Sequence, residues 1–165
     1  MAKKKHEKQF DAKAYGGFAA VLVASLWGLS QMDSNSPSEI VLQPNDPIVV
    51  AQGKTIYGEQ CASCHGPNLG GEPNWRQRKP NGRMPAPPHD VSGHTWHHPD
   101  IALFKTTKFG TSAMVGGTYK SEMLGYEDIL SDQEIIEVLS YIKSTWPEHI
   151  IERHDQINQQ VKEQQ

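Results

Sequence analysis

The chain has 165 residues, a formal net charge of −3, 36% apolar residues and two cysteines. That length suits one domain with appendages, and two cysteines are too few for a disulfide-built scaffold. A chain-wide basic field for nucleic acid is excluded, because the charge is segregated: residues 1–14 sum to +3, 15–71 to −3, 72–120 to +4 and 121–165 to −7.

Residues 1–13 are lysine-rich, and 14–32 follow as 19 residues without a formal charge, apolar mainly from Phe18 to Leu29. This is a membrane-targeting segment, marginal in length for a span and long enough for a signal-peptide core. Gly28-Leu29-Ser30 is a weak cleavage match, while Tyr15 and Trp27 suit the two interfaces of a membrane. The expectation is an uncleaved anchor, with a soluble exported product after cleavage as the alternative. The preceding lysines place Met1 in the cytoplasm and the remainder across the membrane.

Residues 33–46, with Ser34, Asn35, Ser36, Pro37, Ser38, Pro44 and Asn45, read as a linker. A helix is expected from the Asp46 cap and Pro47 in its first turn to Cys61. Val49 or Val50, Gly53, Ile56, Tyr57 and Gln60 recur at helical spacing on one face. Gly53 leaves that face open to a second helix.

Cys61-Ala62-Ser63-Cys64-His65 is the motif that carries chemistry. Cysteines three apart put both sulfurs on one side of a helical turn, where they reach the vinyl groups of a haem while the adjacent imidazole meets the iron. A zinc site needs four ligands and would have to recruit them from His89, His94, His97 and His98 in an unusual arrangement. A thioredoxin-type pair needs an alternating strand–helix pattern that is absent, and a plain disulfide leaves His65 unexplained. The reading is one covalently attached haem c, itself part of the core of a protein low in apolar residues.

Residues 68–99 are rich in Gly and Pro and read as a long loop. Within it Trp75 and Arg76, with Arg78 and Arg83, offer N–H donors for haem propionates or are ordinary surface residues. His94-Thr95-Trp96-His97-His98, with His89 just before, is dense enough in imidazole to hold copper or zinc, although neighbouring side chains point apart. A short helix is expected over 100–109, ended by Gly110. Met84, Met114 and Met123 are the candidates for the sixth iron ligand. Ser131-Asp132-Gln133-Glu134 is a capping box opening a helix with Ile135, Val138, Leu139 and Ile142 on one stripe, stopped by Pro147 after Trp146. The polar residues 148–165 carry Ile150, Ile151, Ile157 and Val161 too sparsely for a buried helix, and a frayed or partner-dependent helix is expected.

From about Pro47 to Trp146 the chain resembles a class I monohaem cytochrome c of bacteria. The resemblance is carried by Gly53, eight residues before Cys61; by Tyr57; by Cys61-Ala62-Ser63-Cys64-His65-Gly66; by Ala86-Pro87-Pro88; and by Met123, three residues before Tyr126. It implies an all-α cytochrome c fold whose first and last helices cross at Gly53 and Tyr57 against Val138 and Tyr141. It implies thioethers at Cys61 and Cys64, and axial ligands His65 and Met123. It also implies that the Pro87 carbonyl receives the other ring N–H of His65. Leu124 stands where the family usually has Pro, and His89 where it usually has Leu. His94 to Asp100 is similar to a stretch shared by one bacterial group of the family. The expected role is electron transfer rather than catalysis: a shuttle between membrane or periplasmic partners such as an oxidase or dehydrogenase, with the haem domain, residues 47–147, on the periplasmic side of the inner membrane. The alternatives are a cytochrome subunit of an oxidoreductase complex, or a redox partner in copper delivery that uses the His-rich loop.

Overall fold

The computed structural model describes residues 39–164. The basic segment 1–13, the membrane segment 14–32 and the linker as far as residue 38 lie outside the described residues. Among the described residues there are helices, turns and no strands, and no helix is long and apolar enough to cross a membrane.

Helix α1 spans Pro47–Ile56. The Asp46 carboxylate accepts from the amides of Ile48 and Val49, and Pro47 occupies a first-turn position where a missing N–H costs nothing. The helix then loosens into a π turn, Tyr57–Cys61, before α2, Ala62–His65, closes on Gly66 with φ +79°. Sequence spacing foresaw one helix through Cys61. The widened turn leaves no signature in a pattern of apolar residues.

Helix α3 is Asp100–Phe109, ended by Gly110 at φ +83°, and a five-residue helix α4, Thr111–Val115, follows at once. Helix α5, Asp132–Ser144, opens with the reciprocal capping box of Ser131 and Glu134. Its Ile135, Val138, Leu139 and Ile142 are buried together with Tyr57, Leu69, Phe104 and Trp146 in one core. Helices α1 and α5 cross where Gly53 lies against the Glu137 carbonyl; a Cβ at Gly53 would overlap that carbonyl and come within 3.0 Å of Tyr141 Cβ. One turn on, the rings of Tyr57 and Tyr141 pack at 5.5 Å.

Two expectations are corrected. The expected frayed tail is helix α6, Glu148–Lys162, seated on the domain through Ile150 and a fully buried His154. His154 Nε2 donates to the His98 carbonyl at 2.9 Å, its ring meets the Trp146 ring edge-on at 5.1 Å, and Asn158 pairs with both the amide and the carboxylate of Asp100. Sparse isoleucines suffice because polar residues on the same stripe find buried partners. The linker also ends earlier than expected: Leu42 is core, its amide held by Asp100 at 2.9 Å, and the Gln43 amide is held by Ser140 at 2.9 Å.

Candidate functional site

The π turn and α2 set the three motif side chains in different surroundings: Cys61 half-buried, Cys64 exposed and His65 buried. The two cysteines are not joined in a disulfide. Burial, with Cys64 beside it, pushes the Cys61 thiol up to about 11, so it rests protonated. A protonated thiol makes a poor thiolate redox pair.

His65 Nδ1 lies 2.8 Å from the Pro87 carbonyl oxygen. A carbonyl can only accept, so Nδ1 carries the proton and Nε2 keeps its lone pair for a metal. Burial lowers the His65 pKa, against the opposing pull of the Pro87 carbonyl and of Glu72, and so favours the neutral imidazole.

Pro87 is itself held from below. Glu72 donates its amide to the Ala86 carbonyl at 2.9 Å and accepts the Ala86 amide on its carboxylate at 2.7 Å. Gly71, at φ +69°, passes directly under this stretch: a Cβ there would lie 2.5 Å from Pro88 N and 2.7 Å from Pro87 C. Only glycine satisfies both the backbone angle and the space.

The Met123 segment approaches the motif from another direction. The Met123 amide donates to Ser121 Oγ at 3.0 Å, and Tyr126, three residues on, donates its hydroxyl to the Gln60 carbonyl at 2.9 Å, one residue before Cys61. Gly110 and Gly125 let this segment cross the end of α3, since a Cβ on Gly110 would meet Gly125 N at 2.7 Å. Met123 is partly buried, Met114 is exposed on α4, and Met84 is partly buried within the long loop.

The remaining sequence candidates have the following neighbours among the described residues. Arg76 covers the Trp75 ring at 4.2 Å and Trp75 stacks on His94 at 5.6 Å, so both join the His-rich loop. Arg83 pairs with Glu122 at 3.7 Å. His94 meets His98 edge-on and His97 packs on Trp96. Among the described residues no group of three His, Cys, Asp or Glu is arranged to hold a further metal ion.

Two features escaped sequence reasoning. Lys79 bridges Glu72 at 3.0 Å and Glu122 at 2.8 Å, and Asn81 adds a bond to Glu122 at 3.1 Å; this ties the loop under Pro87 to the residue next to Met123. His89 stacks on the ring of His65, with centroids 3.9 Å apart. Pairings over 40 residues apart leave no local signal, and a histidine at a position usually held by Leu looked like one more member of the His-rich loop.

The donor set of two thiols on one turn and a neutral, Nδ1-protonated imidazole fits covalent haem c. A comparison with known proteins agrees. The chain is 27% identical over 105 residues to the Cbb3-type cytochrome c oxidase subunit FixP of Bradyrhizobium diazoefficiens, an overlap of 60% of this chain and 32% of that protein. The chain thus spans about a third of the length of that relative. No solved structure matches it significantly. The family model for cytochrome c matches residues 50–146, which take in most of α1, all of α5, the Cys-x-x-Cys-His turn and the Met123 segment, and the chain belongs to the cytochrome c family, with a covalently bound haem c as its cofactor.

Proposed function

We propose that this cytochrome is a single-haem electron carrier in which Cys61 and Cys64 form the thioethers, His65 and Met123 are the two axial ligands, and one electron at a time passes between redox partners at a membrane. Bound haem c supplies the one-electron iron couple. The chain's own residues orient and enclose it: Pro87 fixes the His65 ring, Glu72 and Gly71 fix Pro87, and Tyr126 tethers the Met123 segment beside the attachment turn. The observation that carries the reading is the pairing of a buried, Nδ1-anchored His65 with a Met123 segment bonded to Gln60. With both axial positions filled, iron exchanges electrons and has no open site for substrate.

Met123→Ala tests it. The variant is expected to lose the sulfur-to-iron absorption of the ferric protein, show a lower potential, and bind carbon monoxide when reduced, while Met114→Ala changes none of these. If Met114→Ala loses the band and Met123→Ala keeps it, the ligand assignment is wrong. If reduced wild-type protein binds carbon monoxide readily at neutral pH, the carrier reading fails.

As to setting, the likeness to an oxidase subunit and the uncharged segment at 14–32 support a cytochrome held at the inner membrane with its haem domain in the periplasm, serving an oxidase or another oxidoreductase complex. Copper delivery draws no support from the His-rich loop, whose rings engage each other, Trp75 and Trp96.

A further inference from the structure

We infer that His89 is a second, non-ligating imidazole that tunes the iron through His65, stabilising the ferric state and so setting a lower reduction potential than an aliphatic residue at that position would give. The inference rests on the reading of His65 as an axial ligand.

The two rings are nearly parallel, 24° between planes, with centroids 3.9 Å apart. His89 is gripped on several sides. Its amide donates to the Leu69 carbonyl at 2.7 Å, its carbonyl accepts from Trp146 Nε1 at 2.8 Å, and the Tyr57 ring stands edge-on at 6.3 Å. Its Nδ1 lies 2.8 Å from Thr95 Oγ1, whose hydroxyl has the Pro88 carbonyl as acceptor at 3.4 Å. The short bond to Thr95 fixes the plane of the ring.

The segment that orients His89 is itself anchored. A Cβ on Gly93 would overlap the Pro88 carbonyl, so the turn from Asp90 to Thr95 packs directly on the residue after Pro87. At its far end the His98 carbonyl is held by His154 of α6. The His-Thr-Trp-His-His stretch thus acts through Thr95 as the mount for one ring. Helix α6, lying beyond the family match, braces that mount.

A protonated His89 would press a full positive charge against a ring bonded to iron, so this stacking requires the His89 ring to be neutral. A neutral aromatic presents its electron-rich face to its neighbour. When iron loses an electron, positive charge spreads onto the His65 imidazole, and that face stabilises it as an aromatic ring stabilises a cation. This favours ferric iron. His89 is therefore a positioning and tuning residue, since it reaches the metal only through His65.

The test is the midpoint potential of haem-loaded full-length protein with His89→Leu, His89→Phe and Thr95→Val. His89→Leu should raise the ferrous-to-ferric ratio at a fixed ambient potential by about two- to fivefold, a rise of roughly 20–40 mV for one electron. His89→Phe, which keeps a π face, should shift less, and Thr95→Val should shift in the same direction as Leu by freeing the ring. The ferric sulfur-to-iron band should persist in all three. If His89→Leu and Thr95→Val both keep the wild-type potential, the inference is overturned. Should His89→Leu fail to load haem, Thr95→Val decides alone. His65→Gly separates the two readings: if it leaves the haem spectrum unchanged, the ligand assignment fails, whereas an altered His65→Gly spectrum with unmoved His89 potentials sinks only the tuning role.

Discussion

Replacing Gly53 by alanine sets two calculable effects against each other. Away from contacts, Gly→Ala inside a helix is worth about 1 kcal/mol of stability through backbone entropy. At Gly53 the new Cβ would overlap the Glu137 carbonyl, lie 2.5 Å from Glu137 C and sit 3.0 Å from Tyr141 Cβ. The obstacle is the backbone of α5, which cannot rotate aside, so α1 and α5 must separate and loosen the contacts of Tyr57, Val138 and Tyr141. Overpacking in a well-packed core costs about 1–3 kcal/mol, more when nothing yields. The net expectation is a loss of about 2 kcal/mol, which lowers the midpoint of thermal unfolding by roughly 4–8 °C or more in a domain of this size. Gly58→Ala is the control, because nothing lies within 4 Å of a Cβ there, and it should be neutral or mildly stabilising. The assay is thermal unfolding of the haem-loaded protein followed by far-UV dichroism. A Gly53→Ala protein as stable as wild type would refute the close-approach argument.

Three further outcomes are expected. Burial, then the Lys143 ammonium, depresses the His154 pKa despite Asp100, the His98 carbonyl and Asp155. The folded state therefore binds this proton less readily than the unfolded state. Its contribution is complete above the ordinary histidine value of about 6.5 and falls by at most ~1.4 kcal/mol per pH unit below it. Denaturant midpoints across this range, compared with His154→Asn to cancel the other histidines, should show a steeper acid-side decline for wild type; parallel profiles would count against a buried neutral His154. Glu122→Gln removes the partner of Lys79, Asn81 and Arg83 and should speed displacement of the sixth ligand by imidazole severalfold at low salt, with the difference shrinking at high salt as charges are screened; a salt-independent effect would mean that the ion pairs are not its cause. Tyr126→Phe removes the bond to the Gln60 carbonyl and should cost about 0.5–1.5 kcal/mol in denaturant unfolding, and an unchanged midpoint would show that this tether is not holding the Met123 segment.

Those parts of the molecule governed by short-range rules were readable in advance. The Asp46 cap, Pro47, the capping box at Ser131 and the Gly110 terminus each satisfy local backbone groups, so residue type and order are enough. The attachment turn is read the same way, since thioether chemistry fixes its spacing. What escaped depends on partners distant in sequence. Helix α6 looked too polar because the value of His154 and Asn158 is visible only once His98 and Asp100 stand opposite them. Leu42 looked like linker because its amide is satisfied by a side chain 58 residues away. The same holds for Lys79 with Glu122 and for His89 under His65, where identity alone does not separate a surface charge or a loop imidazole from a structural one.

The π turn at Tyr57–Cys61 sets the azimuth of everything after it. Tyr57 and His65 are both buried, at 2% and 7% exposure, yet they are eight residues apart. In an unbroken α-helix eight residues advance about 800°, leaving the second side chain roughly 80° past two full turns. A π turn absorbs about one extra residue, so the same eight count as seven and stop about 20° short of two turns. The widening thus acts as a vernier that brings the His65 imidazole onto the face already buried by Gly53 and Tyr57, with the Tyr57 hydroxyl locking the result on the Gly66 carbonyl at 2.8 Å. Deleting one residue between Gly58 and Gln60 would restore a uniform helix and keep the Cys-x-x-Cys-His spelling intact. It would also leave His65 on the same face, since seven uniform residues advance about 700°, whereas straightening the turn with no residue removed would swing the motif about 100° away from Pro87.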